Sequence, residues 1–245
     1  MVDLRFFKEN DGLYLHEFSD GSAIIMTGSK YDFRRYNYFN TAKILKHFKL
    51  SQMPLAKTRQ KHTKNIISLP SAGEYVNVDG FITSKRPVMI VTADCIPILI
   101  KDKNSDTAAL LHSGWRGVNK RIYVEAINKI GRDKDYEVYL LPSIQKKSFQ
   151  VSDDFVEKFK GRFFFDRFLS NDIGGKYKFD LVRFVKRELI ELGINGKDIT
   201  IVYEDTFTSD LFHSYRREGK GYGLNAIIYL PQKSRKNVIN ITNIF

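Results

Sequence analysis

The sequence predicts an α/β fold, a mixed β-sheet layered with α-helices in a single domain over residues 1–245. Three observations predict it. The middle of the chain is a series of short apolar runs of strand length, "PVMIVT", "IPILIK" and "TAALLHS", the pattern of strands buried on both faces. Amphipathic helical patterns are interspersed with them, the strongest being "FDLVRFVKRELIELG",. Strict strand–helix alternation is absent, so the sheet is expected to be mixed. A chain of 245 residues is within the size of one such domain,. No repeat, low-complexity segment or Pro/Gly/Ser-rich linker divides it.

Taken in order, "GLYLHEF" and "SAIIMTG" read as two strands around the turn "SDG",. In "NTAKILKHF", Asn40 can cap a helix whose apolar residues Ile44, Leu45 and Phe48 fall at helical spacing,. His47 on that helix reads as a surface histidine rather than a ligand, and His16 in the first hairpin is read the same way. "VNVDGFIT" alternates as a strand does,. "VNKRIYVEAINKIG" is an amphipathic helix that Gly131 ends, and "YEVYLLP" returns as a strand,. Leu181, Phe184, Val185, Leu189 and Leu192 share one helical face, and Gly193 can stop that helix,. "DITIVYE" and "LNAIIYL" are the last strands.

Hydrophobic residues make up 42% and aromatic residues 13% of the chain, enough for a sizeable core,. No apolar run approaches the ~18–20 residues of a membrane helix. The opening "MVDLRFFKEN" is charged at positions 3, 5, 8 and 9 and has no signal-peptide core,. The single cysteine cannot form an internal disulfide. The expected compartment is therefore the cytoplasm, and the sequon Asn240-Ile241-Thr242 is accidental,. The net charge of +12 suggests an anionic partner,. The lysines, however, are spread mostly singly among acidic residues, without aromatic–basic interleaving. Neither nucleic acid nor a membrane surface is expected as a partner.

The chemistry gathers around "VTADCIPILIKDKNSDTAALLHSGWRG", which holds Cys95 and His112. Pro97 cannot donate a backbone hydrogen bond, so the ladder is expected to break just after Cys95. Gly114 and Gly117 permit a tight turn and close approach of a ligand,. If "IPILIK" and "TAALL" pair as antiparallel neighbours through "DKNSD", Cys95 and His112 lie near one edge of the sheet. Such a pair has three readings: a buried thiol with a hydrogen-bonded histidine, a thiolate nucleophile with Cys95 attacking and His112 as base, or part of a metal site. A metal site needs a third protein ligand, and the best candidate is His62 in "AKTRQKHTKNII", flanked by polar residues just before an apolar strand, although its spacing of 33 residues from Cys95 is no local motif. Three protein ligands with one open position are the catalytic zinc pattern.

The stretches "DGFIT", "TADCIPILIKD" and "TAALLHSGWRG", preceded by "RQKH" and followed by "LLPSI" and "SYRREGKGYG", resemble the laccase-domain family of purine nucleoside phosphorylases, once described as polyphenol-oxidase-type laccases. The resemblance spans about residues 55–230. It implies a layered α/β architecture shared with cysteine-hydrolase-like toxins and deamidases. It implies a mononuclear metal site, usually Zn²⁺, on His62 of "Q-x-H", Cys95 of "ADC" and His112 of "H-x-GWRG". The implied activity is phosphorolysis of adenosine, inosine and methylthioadenosine to free base and ribose 1-phosphate, a glycosyl transfer to phosphate, plus hydrolytic deamination of adenosine. Copper and phenol oxidation are also associated with the family. One cysteine and five histidines are too few for a multicopper ligand set, although Cys/His ligation suits Zn²⁺ and Cu²⁺ alike,.

Purine nucleosides and phosphate are then the expected partners. A zinc ion with an open position lowers the pKa of bound water to ~7, which suits attack at C6 of a purine. Asp94 is a candidate proton shuttle there, or equally a side chain that bonds within its turn. Arg116 and Arg216 are candidates for holding phosphate, the alternative being surface ion pairing. Trp115 could stack on a base or pack in the turn. His213 is expected near the pocket, but not as a ligand. Gln145, Lys146, Lys147 and Ser148 stand where the family commonly carries small glycines and a second cysteine, and "KGYG" at 220–223 replaces "TGR". A different pocket wall is expected there.

Overall fold

The structure is a computed structural model that describes residues 1–34, 38–47 and 55–235. Phe48, the side chain of His47 and the sequon at Asn240 lie outside the described residues. The first strands are β1 (Lys8–Asn10), β2 (Leu13–Glu17), β3 (Ala23–Thr27), β4 (Ala56–Arg59), β5 (Ile66–Ser68) and β6 (Gly73–Val76). Then come β7 (Gly80–Thr83), β8 (Val88–Thr92), β9 (Ile96–Asp102), β10 (Ala108–Ser113) and β11 (Tyr136–Leu140). The last are β12 (Gln150–Val151), β13 (Leu169–Asn171), β14 (Tyr177–Phe179), β15 (Ile199–Ile201) and β16 (Asn225–Leu230). The helices are α1 (Tyr38–His47), α2 (Trp115–Asn119), α3 (Ile122–Ile130), α4 (Asp153–Phe159), α5 (Leu181–Glu191), α6 (Tyr215–Glu218) and α7 (Gln232–Arg235).

The fold is mixed α/β, as expected, with its strands divided among three sheets. A seven-stranded sheet runs β1-β2-β3-β16-β8-β4-β6, a six-stranded sheet runs β15-β11-β9-β10-β7-β5, and a small third runs β12-β14-β13. Side-chain parity explains how the two large sheets stack. Val88 and Ile90 of β8, Ile227 and Tyr229 of β16, Leu99 of β9 and Leu110 of β10 meet in one buried layer between the sheets. The alternate residues Met89, Val91, Ala226 and Ile228 face outward onto Ile44 and Leu45 of α1. Ile98, Ile100, Ala109 and Leu111 face the other way, onto α3 and α5. Four layers result: helix, sheet, sheet, helix. The apolar runs are continuous rather than alternating because both faces of each central strand are covered. Each fully buried Leu, Ile or Phe contributes on the order of 1.5–3 kcal/mol.

A cluster of phenylalanines (Phe155, Phe159, Phe165, Phe179 and Phe184) joins α4 and the small sheet to α5, with Phe155 and Phe159 stacked at 4.6 Å. It fixes residues 150–180 as a wall beside the six-stranded sheet. Helix α5 behaves as its pattern predicts. The Asp180 side chain caps it by accepting from the Arg183 amide, Leu181, Phe184, Val185 and Leu189 are buried, and Gly193 follows its end at φ 94°.

Several expectations need correction. Asn40 does not cap α1. It lies inside the helix, and its side-chain amide donates to the Asp32 carbonyl at 2.8 Å. "VNVDGFIT" is not one strand. Asn77, at φ 60°, turns the chain, so β6 joins the seven-stranded sheet and β7 the six-stranded one. The helix expected over 118–131 is two, because Arg121 takes a left-handed conformation at φ 57° between α2 and α3. The "GWRG" segment is the first turn of α2, with Gly114 as its N-cap. Gly131 does end α3. Pro97 does not break the β9–β10 ladder, where it pairs with His112. Its carbonyl accepts from Leu141 on the opposite side, so its missing N–H falls past the end of the β9–β11 pairing. His16 is half-buried rather than on the surface. Its ring stacks on Phe6 at 3.6 Å, and Nδ1 lies 2.7 Å from the Phe6 carbonyl. No helix among the described residues is long and apolar enough to cross a membrane.

Candidate metal centre

The β9–β10 hairpin places Cys95 and His112 as its pairing predicts. His112 lies opposite Pro97 and Ser113 opposite Ile96, so Cys95 falls one step beyond the last pair. Parity then turns both side chains the same way. His112 shares the face of Ala108 and Leu110, which belong to the layer between the sheets. Cys95 shares the parity of Leu99 on β9,. His62 arrives from the other sheet, three residues beyond β4.

The loop that carries His62 is built by two side chains. Gln60 replaces ladder pairing where β4 leaves β8: its Oε1 accepts from the Val91 amide at 3.1 Å, and its Nε2 donates to the Val91 carbonyl. Asp79 holds the rest. Its Oδ2 accepts from the amides of Lys61 and Thr63 and from the Thr63 hydroxyl, at 3.2, 2.8 and 2.6 Å. Its Oδ1 accepts from the His62 amide at 2.9 Å. These bonds hold His62 at φ 56°, a conformation that costs a non-glycine residue on the order of 1–3 kcal/mol,.

The same Oδ1 lies 2.9 Å from Nδ1 of His112, and the Asp79 carbonyl accepts from the His112 amide. Asp79 is fully buried. With Nδ1 bonded to this carboxylate, Nε2 is the nitrogen that would face a metal, the outer support that metal-bound histidines usually have,. Sequence reading missed Asp79. The Asp-Gly pair at 79–80, a turn signal, was the mark that could have found it,.

The ligand atoms of His62, Cys95 and His112 lie within 4.8 Å of one another, and they form the one group among the described residues able to hold a metal. Cys95 Sγ is 3.7 Å from His62 Nε2. Two ligands at ~2.3 Å (S) and ~2.0 Å (N) from a tetrahedral ion would stand about 3.6 Å apart, so the Cys95–His62 pair stands at ligand spacing. Gly114 closes the site from behind. A Cβ there would stand 2.5 Å from Cys95 Sγ and 3.0 Å from His62 Cδ2.

The charges are strongly coupled. Burial works against the Cys95 thiolate, but His112 and His62 outweigh it and bring the thiol down to about 6. Burial likewise opposes an imidazolium at His112, yet the Cys95 thiolate and Asp79 push it up to about 9. Burial also opposes the Asp79 carboxylate, which His112 and Thr63 hold far below the usual range. A metal ion would take over the part of His112 as counter-charge to the thiolate.

The triad lies at the floor of a cleft of about 970 Å³. Trp115 and Arg116 of α2 form one side, and the segment from Phe149 to Lys158 another. Tyr215, Arg216, Tyr222 and Leu224 face them. Asp94, at φ 80°, lines the cleft with both carboxylate oxygens engaged. Oδ1 accepts from the Thr206 hydroxyl and Oδ2 from the Arg216 amide, each at 2.7 Å. The Arg216 guanidinium donates to the Ser148 and Gln150 carbonyls at 3.3 and 3.1 Å. Arg116 is exposed and stacks over Trp115 at 4.3 Å. Trp115 packs edge-on against Phe155. His213 is not among the lining residues; its Nδ1 is 3.3 Å from Glu218. Gln145 is buried and turns back to the Ser143 carbonyl, while Ser148 donates to Asp205 at 2.6 Å.

A family model described as multi-copper polyphenol oxidoreductase laccase matches residues 31–230. A purine nucleoside phosphorylase of Haemophilus influenzae is 29% identical over 202 residues, covering 78% of this chain and 80% of its own. An adenosine deaminase from an unknown prokaryotic organism is 31% identical over 157 residues, covering 61% of this chain and 59% of its own. The hypothetical protein YfiH of Bacillus licheniformis shares the fold at a TM-score of 0.84 and 17% identity, over 92% of this chain and 99% of that one.

Proposed function

The chain belongs to the family described as multi-copper polyphenol oxidoreductase laccase, and from that premise we propose that it is a zinc-dependent purine nucleoside phosphorylase. Its substrates are adenosine, inosine and methylthioadenosine, its products are the free base and ribose 1-phosphate, and it also deaminates adenosine. The observation that carries this reading is the His62, Cys95 and His112 donor set lining a cleft with ample room for a nucleoside. A zinc ion held there supplies Lewis acidity beside the bound substrate.

The chain's own groups supply the rest. In phosphorolysis a phosphate oxygen attacks C1′ as the bond to the base nitrogen breaks, so phosphate must be held against the sugar. Arg216 is fixed for that role. Two of its donors are tied to carbonyls of the 148–150 segment, and its amide is anchored on Asp94. The remaining guanidinium donors are left to face an anion. Asp94 serves here as the positioning group for Arg216 and Thr206. Arg116 lines the same cleft, and Trp115, Tyr215 and Tyr222 offer aromatic surface to the purine,.

Elemental analysis and nucleoside assays test the reading. About one zinc per chain is expected, lost in Cys95→Ala, with base release from adenosine and inosine that depends on phosphate. A fully zinc-loaded protein that leaves both nucleosides unchanged in phosphate buffer would refute it. A copper ion in place of zinc would move the search to phenol oxidation.

A second reading rests on Asp79. Without metal, Cys95, His112 and Asp79 supply a nucleophile, a base and an orienting carboxylate,. That arrangement suits a cysteine hydrolase or amidase. Chelator would then leave activity intact, alkylation of Cys95 would abolish it, and His62→Ala would retain it.

A further inference from the structure

The cleft is more cationic than its nucleoside chemistry requires. Besides Arg216, its lining includes Arg116 on α2, Lys158 on α4 and Lys176 just before β14. Among the described residues, none of the last three forms an ion pair. The partly buried Arg162 and the buried Lys101, by contrast, are tied to acids: Arg162 to Glu188 at 2.5 Å, and Lys101 to Asp20 and Glu137 at 2.9 and 2.8 Å. The one further carboxylate on the rim, Asp154, is paired with none of the three.

Two of the three cations share one aromatic neighbour. Arg116 and Lys158 approach the same indole, their charged centres 4.3 and 5.7 Å from the Trp115 ring centroid. Lys176 stands one step past the Val151–Tyr177 pair, beside Ser152 and the start of the helix that carries Lys158. Gathering like charges around one opening is unfavourable unless an anion joins them. The cleft volume of about 970 Å³ is at the upper end for small-molecule sites and exceeds what a nucleoside and one phosphate fill,.

We propose that Arg116, Lys158 and Lys176 form a second anion subsite at the mouth of the cleft, and that the chain prefers nucleosides carrying a phosphate on the 5′ carbon. The proposal rests on the nucleoside reading of the same cleft. The 5′ position fits because it is the sugar hydroxyl most remote from C1′. A phosphate there can lie among the exposed cations while C1′ lies toward the less exposed His62, Cys95 and His112. The bond broken and the bond formed are unchanged: phosphate adds to C1′ and the base departs.

The test uses the zinc-loaded protein with adenosine and adenosine 5′-monophosphate (AMP) as alternative substrates. Base release gives kcat/KM for each, and calorimetric titration gives binding apart from turnover. Wild type is expected to favour AMP. In the Lys158→Ala/Lys176→Ala variant the ratio of kcat/KM for AMP to that for adenosine should fall by about 100-fold, roughly tenfold per lost charge-assisted contact. Zinc content and the melting curve report whether that variant folds. A single Lys158→Gln variant, expected to lower the ratio about tenfold, keeps the test open if it does not.

If adenosine is processed and AMP neither binds nor reacts, the second subsite is refuted while the phosphorylase reading stands. If neither is processed but AMP binds in a lysine-dependent way, the subsite stands and the phosphorylase reading falls. If the variants raise KM for inorganic phosphate and leave the AMP-to-adenosine ratio unmoved, these lysines hold the attacking phosphate and the proposal is overturned.

Discussion

Replacing Gly114 by alanine should empty the metal site without unfolding the protein. The added Cβ would stand 2.5 Å from Cys95 Sγ and 3.0 Å from His62 Cδ2. Ordinary non-bonded contact begins near ~3.5 Å, so the thiol and the methyl group must separate by about 1 Å. Gly114 is the N-cap of α2 and follows β10 directly, which leaves its backbone little room to yield. The thiol must move instead, and metal–ligand distances tolerate only about 0.2 Å. Zinc affinity is therefore expected to fall at least about 100-fold, the upper end of what disturbing a ligand's support costs. Competition against a chromogenic chelator measures this, with metal content checked by elemental analysis. Gly117→Ala is the internal control. It lies in the same helix, its new Cβ would meet nothing nearer than 3.5 Å, and it should keep the metal. Wild-type chelator resistance in Gly114→Ala would refute the assignment of Cys95 and His62 as ligands of one ion.

Three other outcomes are expected. Asp79→Asn, which weakens the hold on both histidines, should lower zinc affinity by about 10–100-fold, measured by the same competition,; unchanged affinity would make Asp79 a purely structural residue. In metal-free protein the thiolate is the reactive form and its thiol is depressed to about 6. Alkylation of Cys95 by iodoacetamide should therefore rise with pH and reach half its maximum near 6,. A midpoint near that of a free thiol, ~8.5, would contradict the His112–Cys95 coupling, and added zinc should protect the thiol. Glu188→Ala removes the carboxylate that Arg162 grips at 2.5 and 2.6 Å and that Tyr123 also meets. Leaving Arg162 uncompensated should cost about 3 kcal/mol and lower Tm by roughly 6–12 °C, with metal content unaffected.

The parts of the site that were legible in the sequence are those fixed by local rules. The "DKNSD" turn specifies the β9–β10 hairpin, with Asp102 accepting from the Asn104 amide and the Ser105 hydroxyl,. Once the hairpin is set, pairing alone brings Cys95 beside His112. The proximity of His62 was inferred from a resemblance, because nothing local states it. It depends on Asp79, which the alternating pattern of "VNVDGFIT" concealed inside an apparent strand. The break between α2 and α3 was illegible for a similar reason. The apolar spacing continues through Arg121, and only tertiary contacts select its left-handed conformation,. The stacking of two sheets was also hidden, since a strand covered by a helix on one face and a sheet on the other has the same apolar run as one covered by two helices.

That stacking explains why the site is where it is. His62 follows β4 of the seven-stranded sheet, His112 is in β10 of the six-stranded sheet, and Cys95 lies on the link from β8 to β9 that passes from one to the other. The donor atoms therefore meet at the end of the inter-sheet layer, where side chains of both sheets run out and no further strand residues fill the gap. Asp79 occupies a matching position on the link from β6 to β7, which crosses between the same two sheets. One carboxylate on one crossover thus holds the histidine of each sheet. An ion bound there is coordinated across the seam, so its ligand geometry depends on how the two sheets pack and cannot be built by either sheet alone.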